Sequence, residues 1–190
     1  MTWQIDPAHT SITISVKHMM ITTVRGMFAL VDGEMNVDEQ HPADSHVKVR
    51  IDAASVNTGN EQRDQHLRSA DFLDVEKYPY ITFESTSLER IDDDDFKLHG
   101  DLTIRDTTRP ITLDAEFHGI VPNMQGGRRA AFSAETKIQR EEWGLTWNVA
   151  LEHGAWLVAK DLKVEIDIAA VEPAEETAEA EHELAGSTSR

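Results

Sequence analysis

The 190-residue chain predicts an all-β domain that carries one helix and ends in a disordered acidic tail. Three observations carry this reading. From about residue 3 to residue 171, apolar and polar side chains mostly alternate with period two, the spacing of strands that bury one face. Clusters of Asp, Thr, Pro, Asn and Gly divide the alternating runs. From residue 172 onward the alternation stops and glutamate dominates.

The first run sets Ile12, Ile14, Val16 and His18 against Thr13, Ser15 and Lys17. A less regular segment, Arg25 to Val37, follows it. Val47, Val49 and Ile51 then alternate with His46, Lys48 and Arg50. Ile81 shares a face with Phe83, and Leu98, Gly100, Leu102 and Ile104 share another. The next runs are Ile111, Leu113, Ala115 and Phe117, then Ala130, Phe132 and Ala134. Leu162, Val164, Ile166 and Ile168 close the series, with Lys163, Glu165 and Asp167 facing out. Seven or eight antiparallel strands result, a pattern that fits a sandwich and a barrel equally. Asp92 to Asp95 reads as a solvated hairpin loop, and Pro122 to Gly127 as a turn. Asp106 to Pro110 reads as a second divider, with proline placed where no ladder donor is needed.

The single helix is expected over about residues 59–74. Thr58-Gly59-Asn60-Glu61 matches a capping box, in which threonine accepts from the Glu61 amide and Glu61 reaches back. Leu67, Ala70 and Leu73 fall at helical spacing beside Phe72, while Arg63, Asp64, Gln65 and Arg68 supply a polar face. Arg63, Asp64 and Asp71 read as a structural salt-bridge network. A lone amphipathic helix on a β-structure seals an end or covers a seam. Residues 172–190 contain six glutamates, one arginine and no aromatic residue. Such a segment buries too little surface to offset chain entropy. The expected organisation is therefore one domain over 1–171 and a disordered tail over 172–190.

The formal charge is −17. An acidic surface repels phosphate, which argues against nucleic acid and anionic membranes as partners. With no cysteine, disulfides, thiolate catalysis and cysteine-based zinc sites are excluded. The N-terminal residues show neither a basic region nor an apolar run, and no stretch of eighteen apolar residues exists. The expected location is the cytoplasm, with no membrane span. The nine histidines form no His-x-His, His-x₃-His or His-Glu-x₂-His spacing, so no metal is expected. No Gly-x-Ser-x-Gly elbow occurs, so no catalytic residue is assigned. His18 stands out because it shares the apolar face of Ile12, Ile14 and Val16; it is either a hydrogen-bonded core histidine or a polar contact within a cavity. Trp143 and Trp147 flank Gly144, and these aromatics either pack as ordinary core or line a long apolar cavity.

Six pieces of the chain, in order, resemble the YceI family of lipocalin-like polyisoprenoid-binding proteins. They are Trp3-x-Ile5-Asp6-x₂-His9-Thr10-x-Ile12, then Val16-x-His18 with Arg25-Gly26-x-Phe28, and the block from Ile51 to Phe83. Gly100-Asp101-Leu102-Thr103-Ile104-Arg105, Thr108-Arg109-Pro110-Ile111-Thr112-Leu113 and Gly144-Leu145-Thr146-Trp147-Asn148 complete them. The resemblance spans roughly residues 3–171. It implies an extended eight-stranded antiparallel barrel of lipocalin type and a binding protein rather than an enzyme. The implied function is binding, storage or transport of a long-chain isoprenoid, such as a polyprenyl quinone or a related amphiphile, with no cofactor besides that ligand. Three features depart from the family pattern: the acidic tail, Leu73 in place of a second phenylalanine, and Met19, Met20 and Met27 near the first strands.

In a barrel the apolar alternating members face inward. The expected lining is Ile12, Ile14, Val16, His18, Phe28, Ile81, Phe83, Leu102, Leu113, Phe117, Phe132, Val164 and Ile166. Leu67 and Phe72 come from the helix, and Trp143 and Trp147 from the penultimate strand region. His18 or Arg25 sets the head-group position. The expected partners are a long-chain isoprenoid or fatty amphiphile, and a second copy of the chain as a possible homodimer. The competing readings are a lipid-acting hydrolase or isomerase with His18 as base, and an interaction or stress protein with a filled, ligand-free barrel.

Overall fold

The computed structural model describes residues 2–37, 44–124, 126–152 and 155–172. Among the described residues are ten strands: β1 (Thr2–Ile5), β2 (Ser11–His18), β3 (Thr22–Phe28), β4 (Leu30–Asn36), β5 (His46–Asp52), β6 (Tyr80–Arg90), β7 (Asp95–Ile104), β8 (Thr107–Pro122), β9 (Arg128–Gln139) and β10 (Val158–Val171). Antiparallel pairing runs β1-β4-β5-β6-β7-β8-β9-β10, and β1 returns to β10 at Gln4↔Val171 and Ile5↔Ala170. That ring closes an eight-stranded barrel, while β3, which pairs only with β2, stays at an edge of the sheet.

The remaining two strands explain the count of ten. β1 and β2 are one barrel stave broken by the 3₁₀ turn Pro7–His9, and β3 and β4 are a second stave broken at Ala29. The turn is capped by Asp6, whose Oδ1 accepts from the Ala8 amide at 3.0 Å. Beyond the breaks, β2 stays on β10 and β3 stays on β2, so β3 pulls away from β5. The segment from Ala53 to Val75 fills the gap. Met27 and Asn57 exchange backbone hydrogen bonds of 2.9 and 3.0 Å, and the Ala29 amide donates to Ser55 Oγ at 2.8 Å.

Helix α1 spans Glu61–Arg68, shorter than the expected 59–74 because Ser69 ends it in an extended conformation. The chain then turns through residues 69–77, with the Leu73 amide donating to Leu67 O. The cap is Asn60, whose Oδ1 accepts from the Arg63 amide at 3.0 Å, rather than Thr58. Thr58 is used differently: its amide and hydroxyl both donate to Asp64 Oδ1, at 2.9 and 2.6 Å. Asp64 is therefore buried and does not belong to a polar face. The expected network of Arg63, Asp64 and Asp71 does not form. Arg63 and Asp64 each bind Thr58, and Asp71 pairs with His66.

The divider expected over Asp106 to Pro110 shrinks to Arg105-Asp106, since Ile104 pairs with Thr107 and Pro110 with Asp101. Pro110 is tolerated inside β8 because β9 begins to pair only at Asp114, leaving the proline unpaired on that side. Trp143 and Trp147 lie in no strand. Arg140–Trp143 is a 3₁₀ turn, and Gly144, at φ 74°, reverses the chain in a conformation that favours glycine. Residue 172 also belongs to the fold: the Glu172 amide donates to Arg128 O, and its carboxylate accepts from Arg128 Nε at 2.7 Å and Nη2 at 3.0 Å. The remainder of the expected disordered tail, 173–190, lies outside the described residues.

The barrel interior is not uniform. At the end holding the β6–β7 and β8–β9 hairpins, Trp3, Met35, Ala130 and Ala170 are buried, with Phe117 and Phe132 packed against them. In the middle, Phe83, Leu113 and Ala134 form a second buried layer that Ile166 joins. Phe83 packs against Gly100, where a Cβ would stand 2.4 Å from its ring. The third part, toward α1 and the 140–157 segment, is where packing gives way to space.

Candidate ligand-binding cavity

A cavity of about 720 Å³ occupies the α1 end of the barrel, inside the range of about 300–1,000 Å³ usual for small-molecule sites. Its apolar wall comes from alternate residues of the strands. Ile12, Ile14, Val16 and His18 face it from β2, and Val24, Gly26 and Phe28 from β3. Ile51, Ile81, Leu102 and Ile104 contribute from β5 to β7, and Ile138, Leu162 and Val164 from β9 and β10. Ile14, Val16, Phe28, Leu162 and Val164 are only half-buried although they point inward. Space inside the barrel, rather than an outward orientation, accounts for that exposure.

Polar groups gather at one end. Asn60 and Gln62 are exposed and line the rim, with Thr58, Arg63 and His66 behind them. His18 is at the same end, since β2 finishes there. The His66 ring stands edge-on to Phe72 at 5.1 Å and to Trp147 at 4.5 Å, while its Nε2 meets Asp71 Oδ2 at 2.9 Å. Through His66, helix α1 is tied to the segment that carries Trp147. Arg140 completes the polar end. It is 2% exposed; its Nε donates to Ala159 O, and its Nη1 to the carbonyls of Leu145 and Trp147. Burial pushes its pKa down, and the carboxylate of Glu141 opposes that shift.

Of the seventeen residues expected to line the interior, eleven border this cavity: Ile12, Ile14, Val16, His18, Phe28, Leu67, Phe72, Ile81, Leu102, Trp147 and Val164. Phe83, Leu113 and Ile166 also face inward but belong to the packed layer beneath the cavity. Phe117 and Phe132 pair with each other at 5.2 Å at the far end. Trp143 is buried behind the cavity wall, its Nε1 donating to Leu102 O at 3.0 Å. Arg25 is exposed on β3 opposite Ser15, on the outer face. Sequence reasoning missed Arg140, Leu145, Leu157 and Val158. Their segment lacks a period-two pattern, so no signal placed them inside. Arg63 is expected on the polar face of the helix and His66 at no site, because only the break in the stave turns that part of the helix toward the interior.

The YceI-like domain model matches residues 3–170 of this chain. The chain belongs to the YceI-like family. Protein YceI of Escherichia coli O17:K52:H18 is 41% identical over 137 residues, which are 72% of this chain and 71% of that relative. The crystal structure of the Campylobacter jejuni YCEI protein superposes with a TM-score of 0.68 at 32% identity, over 83% of this chain and 90% of that one. A polyisoprenoid binding domain from Saccharophagus degradans, implicated in plant cell wall breakdown, superposes with a TM-score of 0.64. At 12% identity, covering 90% of this chain and 98% of that one, the likeness shows the shared fold. Among the described residues of this YceI-like chain, no group of three or more His, Asp or Glu side chains converges as a metal site. No helix among them is long and apolar enough to cross a membrane.

Proposed function

We propose that the protein binds one long-chain isoprenoid, such as a polyprenyl quinone or a related amphiphile, reversibly within the barrel. The observation that carries this reading is the two-part character of the cavity. Its wall is largely apolar, with Ile12, Ile14, Phe28, Ile51, Ile81 and Ile138, and its polar side chains are few: Thr58, Asn60, Gln62, Arg63 and His66 from the α1 segment, with His18 and Arg140. An apolar tail fits the first part and a head group the second. Transfer of each CH₂ from water contributes about 0.8 kcal/mol. One five-carbon isoprene unit is thus worth about 4 kcal/mol before ordering costs are subtracted. Family membership and the name of the Saccharophagus neighbour support the isoprenoid class. Ligand contact is assigned to the cavity-lining residues alone. Phe83, Leu113, Phe117, Phe132, Trp143 and Ile166 hold the barrel's shape.

The competing enzymatic reading needs a nucleophile or an acid–base pair. Among the described cavity-lining residues there is no Asp, Glu, Ser, Tyr or Lys. The single hydroxyl, Thr58 Oγ1, is engaged by Asp64 at 2.6 Å and Arg63 Nε at 2.7 Å. These features favour binding over turnover. Native mass spectrometry on protein purified without detergent from its own organism tests the proposal. A discrete added mass that solvent extraction removes, and uptake of a polyprenyl quinone by the stripped protein, are expected. A mass equal to the bare chain in every preparation, with no uptake, overturns it. Turnover of the bound amphiphile that His18→Ala abolishes would favour the enzyme instead.

A further inference from the structure

We infer that the protein docks on a lipid bilayer through the tip of the β2–β3 hairpin, together with Val149 and Trp156, so that a lipid passes between bilayer and cavity. The inference rests on the cavity being a lipid site and adds the surface through which that site is loaded.

The hairpin turns through His18-Met19-Met20-Ile21, closed by the Ile21 amide donating to His18 O at 3.2 Å. Met19 and Met20 hold φ of 51° and 64°, the left-handed region that Asn-Gly fills at least cost in a tight hairpin turn. Two methionines are a poor choice for the turn itself. What they do, with Ile21, is carry apolar side chains into solvent: Met20 is 67% and Ile21 77% exposed. The patch continues sideways through backbone pairing. The Met19 amide donates to Leu157 O at 2.8 Å, and the Leu157 amide to Val149 O at 3.0 Å. Met19, Val149 and Trp156 are exposed as well, and tryptophan is a residue type suited to a membrane interface. Soluble monomers rarely gather apolar side chains in this way without a partner for them.

Charge and cavity together name the partner. A chain with 35 acidic residues has none from 7 to 31, and residues 143–151 carry no charge at all, although Glu152 follows them. Lys17 and Arg25 are exposed on the outer face of the hairpin, and neither is ion-paired among the described residues. With the tip immersed, their stems lie along the apolar surface and their charges meet lipid phosphates. Methionine, isoleucine and tryptophan with lysine and arginine behind them have the composition of an interfacial anchor. His18, Leu157 and Val158, chain neighbours of the exposed residues, line the cavity. Immersion of the tip therefore sets the cavity wall against the acyl region, and a lipid enters without crossing water. The opposite end of the barrel also exposes Val121 and Met124, but Trp3, Phe117 and Phe132 fill it.

Flotation of stripped full-length protein with phosphatidylcholine vesicles tests the docking, since a zwitterionic surface does not repel an acidic protein. Wild type should float with the vesicles. Met19→Asn/Met20→Gly installs the pair that the turn favours. It should melt no lower than wild type while its partitioning falls about tenfold or more. Ile21→Ser should weaken partitioning in the same direction, and Val121→Ser, at the filled end, should leave it unchanged. Wild type that stays behind overturns the inference, as does a double variant that floats equally well. A wild-type dimer that the double variant dissociates, with no vesicle binding, assigns the patch to a second copy and overturns it too. Loading separates the docking from the lipid reading beneath it. Stripped protein that takes up a polyprenyl quinone from dilute solution but does not float loses the docking surface and keeps the lipid site. Protein that floats, yet takes up no quinone from solution or from vesicles containing it, overturns the lipid reading and the transfer with it.

Discussion

Gly100 shows how a single atom sets the interior. A Cβ there would meet the Phe83 ring at 2.4 Å and the Glu84 carbonyl at 2.6 Å. Gly100→Ala should destabilise the fold by about 1–3 kcal/mol, the usual penalty of overpacking, as read from urea midpoints. Shortening the ring in Gly100→Ala/Phe83→Leu should restore little, because the backbone carbonyl of Glu84 stays in the way. Glu172 supports a prediction about pH. Its hydrogen bond from Arg128, aided by that residue's charge, lowers its pKa below the ordinary 4.5 while burial opposes the shift. A depressed carboxylate pKa means that the folded state binds the proton less readily than the unfolded chain does. The pair's contribution is therefore complete above the unfolded value and is lost as pH falls through the folded one. The difference in melting temperature between wild type and Glu172→Gln should be present at pH 7 and shrink toward zero below about pH 4. A difference that is flat across that window would remove Glu172 from the folded unit.

At the scale of elements, the 53–75 insertion separates this barrel from a simple ring. Period-two alternation announces strands but not their breaks, so β1 with β2 and β3 with β4 become legible as two staves only from their pairing. The helix was legible from its polar character and spacing, yet its cap and buried face were not. Thr58 and Asn60 are both plausible caps by residue type, and the choice falls to Asn60 because Asp64 claims Thr58. Asn60, the cap, and Asp64, the buried acceptor, make separable predictions. Asn60→Ala should cost about 1 kcal/mol, the ordinary value for a lost N-cap. Asp64→Ala should cost about 1–3 kcal/mol, because it strands the Thr58 amide and hydroxyl that it buries. Chemical denaturation ranks them; an Asp64→Ala effect below about 0.5 kcal/mol would return Asp64 to the solvated surface.

For the whole molecule, the division between filled and hollow halves of one barrel governs function. Ile14 borders the cavity, whereas Ala134 is buried against Phe83 and Leu113. Ile14→Phe places extra volume where space exists. It should change stability by less than about 1.5 kcal/mol while lowering amphiphile uptake. Ala134→Phe should destabilise by about 1–3 kcal/mol or more, because the packed layer has no space to give. Thermal melts combined with a fluorescence titration read both quantities. Uptake undiminished in Ile14→Phe would place the ligand elsewhere.

The sequence by itself determined the fold class, the inward face of the strands and the family. Period two is a local property of each strand, so Ile12, Ile81 or Val164 reveals its side without knowledge of any partner. Only the tertiary structure decided which inward residues pack and which border space, since that depends on side-chain volumes summed across opposite walls. Trp3, Phe117 and Phe132 meet and fill one end, whereas Ile14, Val16 and Val24, neighbours on one wall, border open space at the other. Arg140 is the sharpest instance. In the sequence it is one charge among many, near the end of a strand. Its burial, its spent donors and its free Nη2 arise from residues 145, 147 and 159 folding back over it. No local pattern encodes that return of the chain.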